Sequence, residues 1–294
     1  MSSEKDVEPA SGQSLDLIKK TNKSAKQIAD EVSNVVLGKE QTIEMVMAGI
    51  LANGNILFED FPGLAKTLMS NTLADALGCE FKRIQFTPDL LPADITGSYF
   101  YDHEKNKFKF RKGPIFCNIL LADEINRAPP KTQAALLEAM QEKQITIEGT
   151  THKLAAPFIV LATQNPIEYE GTYPLPEAQL DRFLLNVFVD YLPEEDEVKV
   201  VSETTSRTDS QTSPIFNAED VLRIQNVVRK VPVADSVVRY AVRIAASSRP
   251  NQPGTPDFVN EWINWGAGLR AGQALTICAK ARVLLQGRSH VTPD

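Results

Sequence analysis

A strand, a tight turn and a helix are written into residues 55–77, with a lysine-threonine pair where the turn meets the helix. Asn55-Ile56-Leu57-Phe58 is apolar enough for a buried strand, and Leu68 to Leu77 carries apolar residues at helical spacing. Between them runs Asp60-Phe61-Pro62-Gly63-Leu64-Ala65-Lys66-Thr67. A helix that starts directly after a strand leaves free N–H groups and the positive end of its dipole facing one point, a site for an anion. A lysine there reaches the β- and γ-phosphates of a nucleotide, and the hydroxyl after it holds Mg²⁺. The full phosphate-loop pattern has glycine where Asp60 and Ala65 stand, and Gly63 is the one glycine left in the turn. Taken alone, the octapeptide also fits an ordinary strand-to-helix turn carrying a surface lysine.

A second segment narrows the choice. Cys117-Asn118-Ile119-Leu120-Leu121-Ala122 is a short apolar run fit for a strand covered on both faces, and it ends in Asp123-Glu124. Two adjacent carboxylates at the end of a buried strand are costly unless positive charge compensates them. Mg²⁺-nucleotide supplies that charge: Asp123 binds the metal directly or through water, and Glu124 polarises the attacking water. A pair of helix-capping acids ahead of Asn126-Arg127 accounts for the acids but not for the apolar strand before them.

Strand signals alternate with helical ones at Ile56–Phe58, Phe81–Phe86, Ile119–Ala122, Phe158–Thr163 and Asn186–Val189. This alternation predicts a parallel sheet flanked by helices, with amphipathic helices over 15–32 and 39–52 ahead of it. Two segments break the rhythm and read as hairpins, 97–113 and 144–154, either covering a sheet edge or projecting towards a pore or partner. Residues 1–14 are expected to form an unstructured tail, 15–192 the α/β core, and 193–294 a helical domain. A domain of this kind is expected to continue for one or two helices beyond Asp294. With net charge −7 the chain lacks a general electrostatic grip on nucleic acid, although Lys105, Lys107, Lys109, Arg111 and Lys112 form one local basic cluster. No apolar run approaches the roughly 18 residues needed to cross a bilayer, and the N-terminus lacks a signal-peptide core. Three widely spaced cysteines read as buried thiols, and the expected location is the cytoplasm.

The sequence resembles the MoxR branch of the AAA+ ATPases. The similar stretches are Pro62 to Thr67, Asp123 to Gln141 (DEINRAPPKTQAALLEAMQ), Ala162 to Glu168 (ATQNPIE) and Gly171 to Phe183 (GTYPLPEAQLDRF). The family shares Ala65 before the lysine but usually keeps glycine at the position of Asp60. The resemblance implies a P-loop core with a five-stranded parallel sheet, inserted β-hairpins and a small all-helical lid. It implies ATP and Mg²⁺ as cofactors. Pro62, Gly63, Leu64, Ala65, Lys66, Thr67, Leu68 and Asp123 would surround the nucleotide, with Thr67 and Asp123 towards the metal and Val36-Leu37-Gly38 on the adenine. Glu124 would act on water, Asn165 would be sensor 1, Arg182 an arginine finger reaching a neighbouring subunit, and Arg270 sensor 2. The same likeness implies a homo-hexamer that remodels protein clients or adaptors, including ones with a von Willebrand factor A domain. Two other readings stand beside it: a nucleic-acid motor, weakened by the acidic balance, and a slow regulatory nucleotide-binding module, weakened by the presence of Glu124 and Arg182.

Overall fold

The computed structural model describes residues 12–60, 66–165, 171–206 and 214–293. Of the expected tail, residues 1–11 lie outside the described residues. Helices α1 (Gly12–Val35) and α2 (Glu40–Leu51) precede strand β1 (Ile56–Asp60) and helix α3 (Lys66–Ala76). Next come β2 (Phe81–Gln85), the short α4 (Pro92–Thr96) and a hairpin of β3 (Gly97–Asp102) and β4 (Lys107–Lys112). Strand β5 (Ile119–Asp123) leads through a 3-10 turn at Ile125–Arg127 into α5 (Pro130–Glu142). A second hairpin, β6 (Gln144–Ile147) and β7 (Thr150–Lys153), is followed by β8 (Ile159–Gln164), α6 (Glu177–Leu180) and β9 (Leu185–Val189). Helices α7 (Glu194–Ser206), α8 (Ala218–Lys230), α9 (Asp235–Ser247), α10 (Asp257–Trp262) and α11 (Leu269–Leu285) complete the described chain.

The five strands anticipated from the alternation form one parallel sheet in the order β2-β5-β8-β1-β9. Its chemistry follows its position. In the central β5 every residue is buried, as are the first five of β8, so both strands are nearly continuous apolar runs. In the edge strands β2 and β9 exposed residues interleave with buried ones, because each of these strands has one bare side. Each fully buried Leu or Ile in β5 contributes about 1.5–3 kcal/mol by removal from water.

Both expected hairpins form, as separate two-stranded antiparallel sheets. The first is pinched at its base, where Gly97 has φ +94°, and a Cβ there would meet the Arg111 carbonyl at 2.2 Å. Its two faces differ. Tyr99 and Phe110 pair across one face at 5.3 Å, as do Tyr101 and Phe108, so strand alternation turns Lys107, Lys109 and Arg111 to the other. Lys109 is already paired with Asp102 at 2.7 Å. His152 on β7 stacks on Phe110 at 4.2 Å and its Nε2 lies 3.3 Å from the Tyr99 hydroxyl, which fastens the two hairpins together.

Lys143, between α5 and β6, sits in the left-handed region at φ 54° and donates to the Phe158 carbonyl at 2.9 Å. Burial pushes its pKa down from 10.5 to about 8. The folded state therefore binds this proton less tightly than the unfolded chain, and stability is gained as pH rises from about 8 towards 10.5. Denaturant midpoints of the wild type, measured against Lys143→Met, should climb across that window. A difference that stays constant with pH would show the ammonium to be solvated.

Packing divides the chain into two compact units, residues 28–222, and residues 223–294 together with those up to 27. The change of pattern at Pro193 marks where strands give way to helices, whereas the first unit runs on to Leu222. Within it, a Cβ at Gly38 would lie 3.0 Å from Leu192 and 3.6 Å from Asp196, and the Ile215 N–H donates to the Ala76 carbonyl at 3.0 Å. In the second unit α9 packs on α11, and Ala241, Ala245, Ala281 and Leu284 are buried. There Lys280 Nζ donates to the Arg229 carbonyl and Asn22 Nδ2 to that of Arg288.

Candidate nucleotide site

The carboxyl ends of the adjacent parallel strands β5 and β8 place Asp123, Glu124 and Asn165 on one side of the sheet. Strand β1 lies between β8 and β9, and α3 begins six residues after β1 ends. Pro62, Gly63, Leu64 and Ala65 lie outside the described residues. Lys66 and Thr67 open α3, Lys66 half-buried, Thr67 and Leu68 exposed. Asp60 pairs in register with Val189 as the last residue of β1, so it continues the strand rather than standing in the turn. Beside it, Glu59 Oε1 accepts from Gln164 Nε2 at 2.6 Å and from Asn186 Nδ2 at 3.0 Å, which ties β1 to both of its neighbours, β8 and β9.

Asp123 ends β5, and both of its oxygens are engaged. The Thr163 hydroxyl on β8 donates to Oδ1 at 2.7 Å, and Arg83 on β2 donates to Oδ2 through Nη2 at 2.6 Å and Nε at 3.2 Å. The next residue leaves the strand sharply: Glu124 has φ 55° and ψ 49°. Its N–H donates to Thr163 Oγ1 at 2.8 Å, so one threonine fixes both members of the acidic pair. Glu124 Oε2 accepts from Arg127 Nη1 at 2.9 Å, while Oε1 makes no hydrogen bond with a described residue. Asn165 follows β8 directly, and its carbonyl accepts from Asn126 Nδ2 at 3.3 Å.

The turn after Glu124 is stapled to the segment that carries Arg182. Gln133, buried in α5, directs Nε2 at the carbonyls of Ile125, Ala128 and Tyr173 at 3.2, 3.1 and 2.8 Å. Asn126 accepts the Tyr173 N–H at 2.6 Å. Arg182 follows α6 and lines an open pocket of about 340 Å³ with Leu137, Glu138, Gln141 and Glu142 of α5. Val36 is buried, and Gly38 takes φ +72° at the turn before α2. Arg270 is exposed on the first turn of α11, in the helical unit.

Thus Asp123, Glu124 and Asn165 meet at the carboxyl side of the sheet, the side on which β1 ends before α3 follows it. Sequence reasoning passed over Arg83, Thr163, Arg127 and Gln133. Gln133 did leave a signal: it shares a helical face with Leu136, Leu137 and Met140, where an uncompensated polar side chain does not belong. The donor set suits a hard cation, since Thr67 offers a hydroxyl and Asp123 a carboxylate whose oxygens keep further lone pairs. Burial pushes the Cys79 thiol to about 11 and that of Cys117 to about 12, which leaves both protonated and inert at neutral pH.

A parallel sheet in this order, with a lysine-threonine helix start after β1 and an acidic pair at the end of β5, one strand removed from it, defines an AAA-type ATPase. The model of the ATPase family associated with various cellular activities matches residues 55–185. An uncharacterized protein, YeaC of Bacillus subtilis, is 44% identical over 90% of this chain and 80% of its own length. The Mycobacterium tuberculosis chaperone MoxR1 is also 44% identical, over 90% of this chain and 70% of its own. A crystal structure of a Cytophaga hutchinsonii protein assigned as an ATPase superposes with a TM-score of 0.87 at 44% identity, covering 95% of this chain and 84% of that one. The chain belongs to the MoxR family of AAA+ ATPases. Its fold is the AAA+ α/β core with two inserted hairpins, followed by a helical lid. No helix among the described residues is long and apolar enough to cross a membrane.

Proposed function

We propose that this chain hydrolyses ATP and that the cycle remodels partner proteins in the cytoplasm. The observation that carries this reading is the Asp123-Glu124 pair at the carboxyl end of β5, both members held by Thr163. Phosphoryl transfer asks for positioning and charge neutralisation more than for covalent chemistry. Lys66 meets the β- and γ-phosphates at the positive end of α3. Mg²⁺, held by Thr67 and Asp123, supplies neutralisation of the phosphate charge when bound. Glu124 presents Oε1 to the attacking water, Asn165 orients that water, and Val36-Leu37-Gly38 receives the adenine. Arg182 completes the site of the next subunit, so a ring, a hexamer by family likeness, is the active form, with Arg270 acting from the lid. The name of the mycobacterial relative, a chaperone, supports a protein client, with a von Willebrand factor A domain as the partner type to test first.

Phosphate release from ATP should be measurable with Mg²⁺ and vanish on chelation with EDTA; hydrolysis indifferent to EDTA would remove the metal from the reading. The basic face of β4 favours one competing reading, a nucleic-acid motor. Lys109 is paired to Asp102, which leaves Lys107 and Arg111 as the charge on that face, set against a net charge of −7 over the chain. Added single- or double-stranded DNA should therefore change the rate little even at low salt, where weak electrostatic binding is exaggerated. Several-fold stimulation, lost when Lys105, Lys107 and Lys109 are replaced together, would favour the motor.

A further inference from the structure

We propose that Arg83 is the resident counter-ion of Asp123, so that Mg²⁺ competes with its guanidinium and Arg83 sets the Mg²⁺ concentration the site requires. The inference rests on the nucleotide reading of the site and deepens it. The Asp123 side chain is only 12% exposed, and an ionised carboxylate that far out of water is costly without a cation. Arg83 is that cation. It reaches Asp123 across neighbouring strands with two nitrogens on the same oxygen, and Nη2 also donates to Gln85 Oε1 at 3.0 Å, which steadies the guanidinium from its own strand. A guanidinium suits this task because its planar fork holds several acceptors at once, as the point charge of a lysine does not.

The two partners differ in access. The Arg83 side chain is 47% exposed, so it can return to water at small cost, whereas Asp123 cannot. A divalent ion approaching the carboxylate therefore meets a site already neutralised, and a positive charge within a few ångströms opposes its entry. Thr163 keeps Oδ1 fixed whether or not Arg83 stays. Arg83 thus acts on the metal through Asp123 and is a positioning residue.

The test is a Mg²⁺ titration of the full chain in the presence of a fluorescent, slowly hydrolysed ATP analogue, with nucleotide binding as the readout. Arg83→Gln should lower the Mg²⁺ concentration for half-maximal binding by about fivefold or more, since it removes the opposing charge. Arg83→Lys should fall between Gln and wild type, because a single ammonium cannot reproduce both contacts. Damage to the fold would weaken metal binding, the opposite direction. If Arg83→Gln does not fold, the lysine variant alone decides. Half-saturation values equal to or above wild type would overturn the inference while leaving the nucleotide reading intact. A wild-type chain that binds no analogue at any Mg²⁺ concentration would overturn both.

Discussion

Lys66→Ala is expected to abolish ATP binding, whereas Glu124→Gln is expected to preserve binding and slow turnover by roughly 10²-fold or more, the scale of a lost general base. The contrast follows from where the two residues stand. Lys66 is the first residue of α3, at the positive end of the helix, and in the proposed site it is the side chain that meets the β- and γ-phosphates. Replacing it leaves the N–H groups of the helix start, which alone hold a doubly charged terminal phosphate weakly. In the proposed reaction Glu124 meets water rather than phosphate. Its backbone is set by the Thr163 hydroxyl and its left-handed geometry, neither of which depends on the carboxylate. Glutamine keeps the shape and an acceptor oxygen, so it should also keep the link to Arg127. Calorimetry with ATP and Mg²⁺ separates the outcomes. Unchanged affinity in Lys66→Ala would remove the phosphate-loop reading, and wild-type turnover in Glu124→Gln would assign the water to another group.

The strands were legible because burial writes a continuous signal. Ile119 to Ala122 and Ile159 to Ala162 are apolar without a break since both faces are covered, and all five strands formed where the alternation placed them. Asp123-Glu124 was legible for the same reason in reverse, as charge at the end of such a run. What escaped notice was each residue whose role depends on a partner distant in the chain. Arg83 reads as one exposed position of an edge strand, and only the pairing of Gln85 with Asp123 brings β2 beside the acidic pair. Thr163 reads as a strand residue with good β-propensity, yet its hydroxyl joins Asp123 to Glu124. His152 was one scattered histidine until β7 laid it on Phe110. Periodicity reports which face is buried; it does not report which polar atom meets which.

Arg182→Ala should still bind ATP, because Lys66, Thr67 and Asp123 of the same subunit remain, but hydrolysis should fall on the scale of 10³-fold if the arginine acts as a finger. Its surroundings suit a residue that answers to its neighbour. Arg182 stands in an open pocket beside α5, and the segment from Tyr173 that leads to it is stapled by Gln133 to the turn after Glu124. The decisive experiment is mixing. Arg182→Ala retains a phosphate site but lacks the finger, and Lys66→Ala lacks the site but retains the finger. Neither should hydrolyse ATP alone. A mixture should recover activity wherever an intact site meets an intact finger across a subunit boundary, and wild-type activity per subunit should rise with protein concentration as rings assemble. Sedimentation of the mixture supplies the control. Mixed rings that stay inactive would mean that Arg182 serves its own subunit's nucleotide, or acts only in packing against α5.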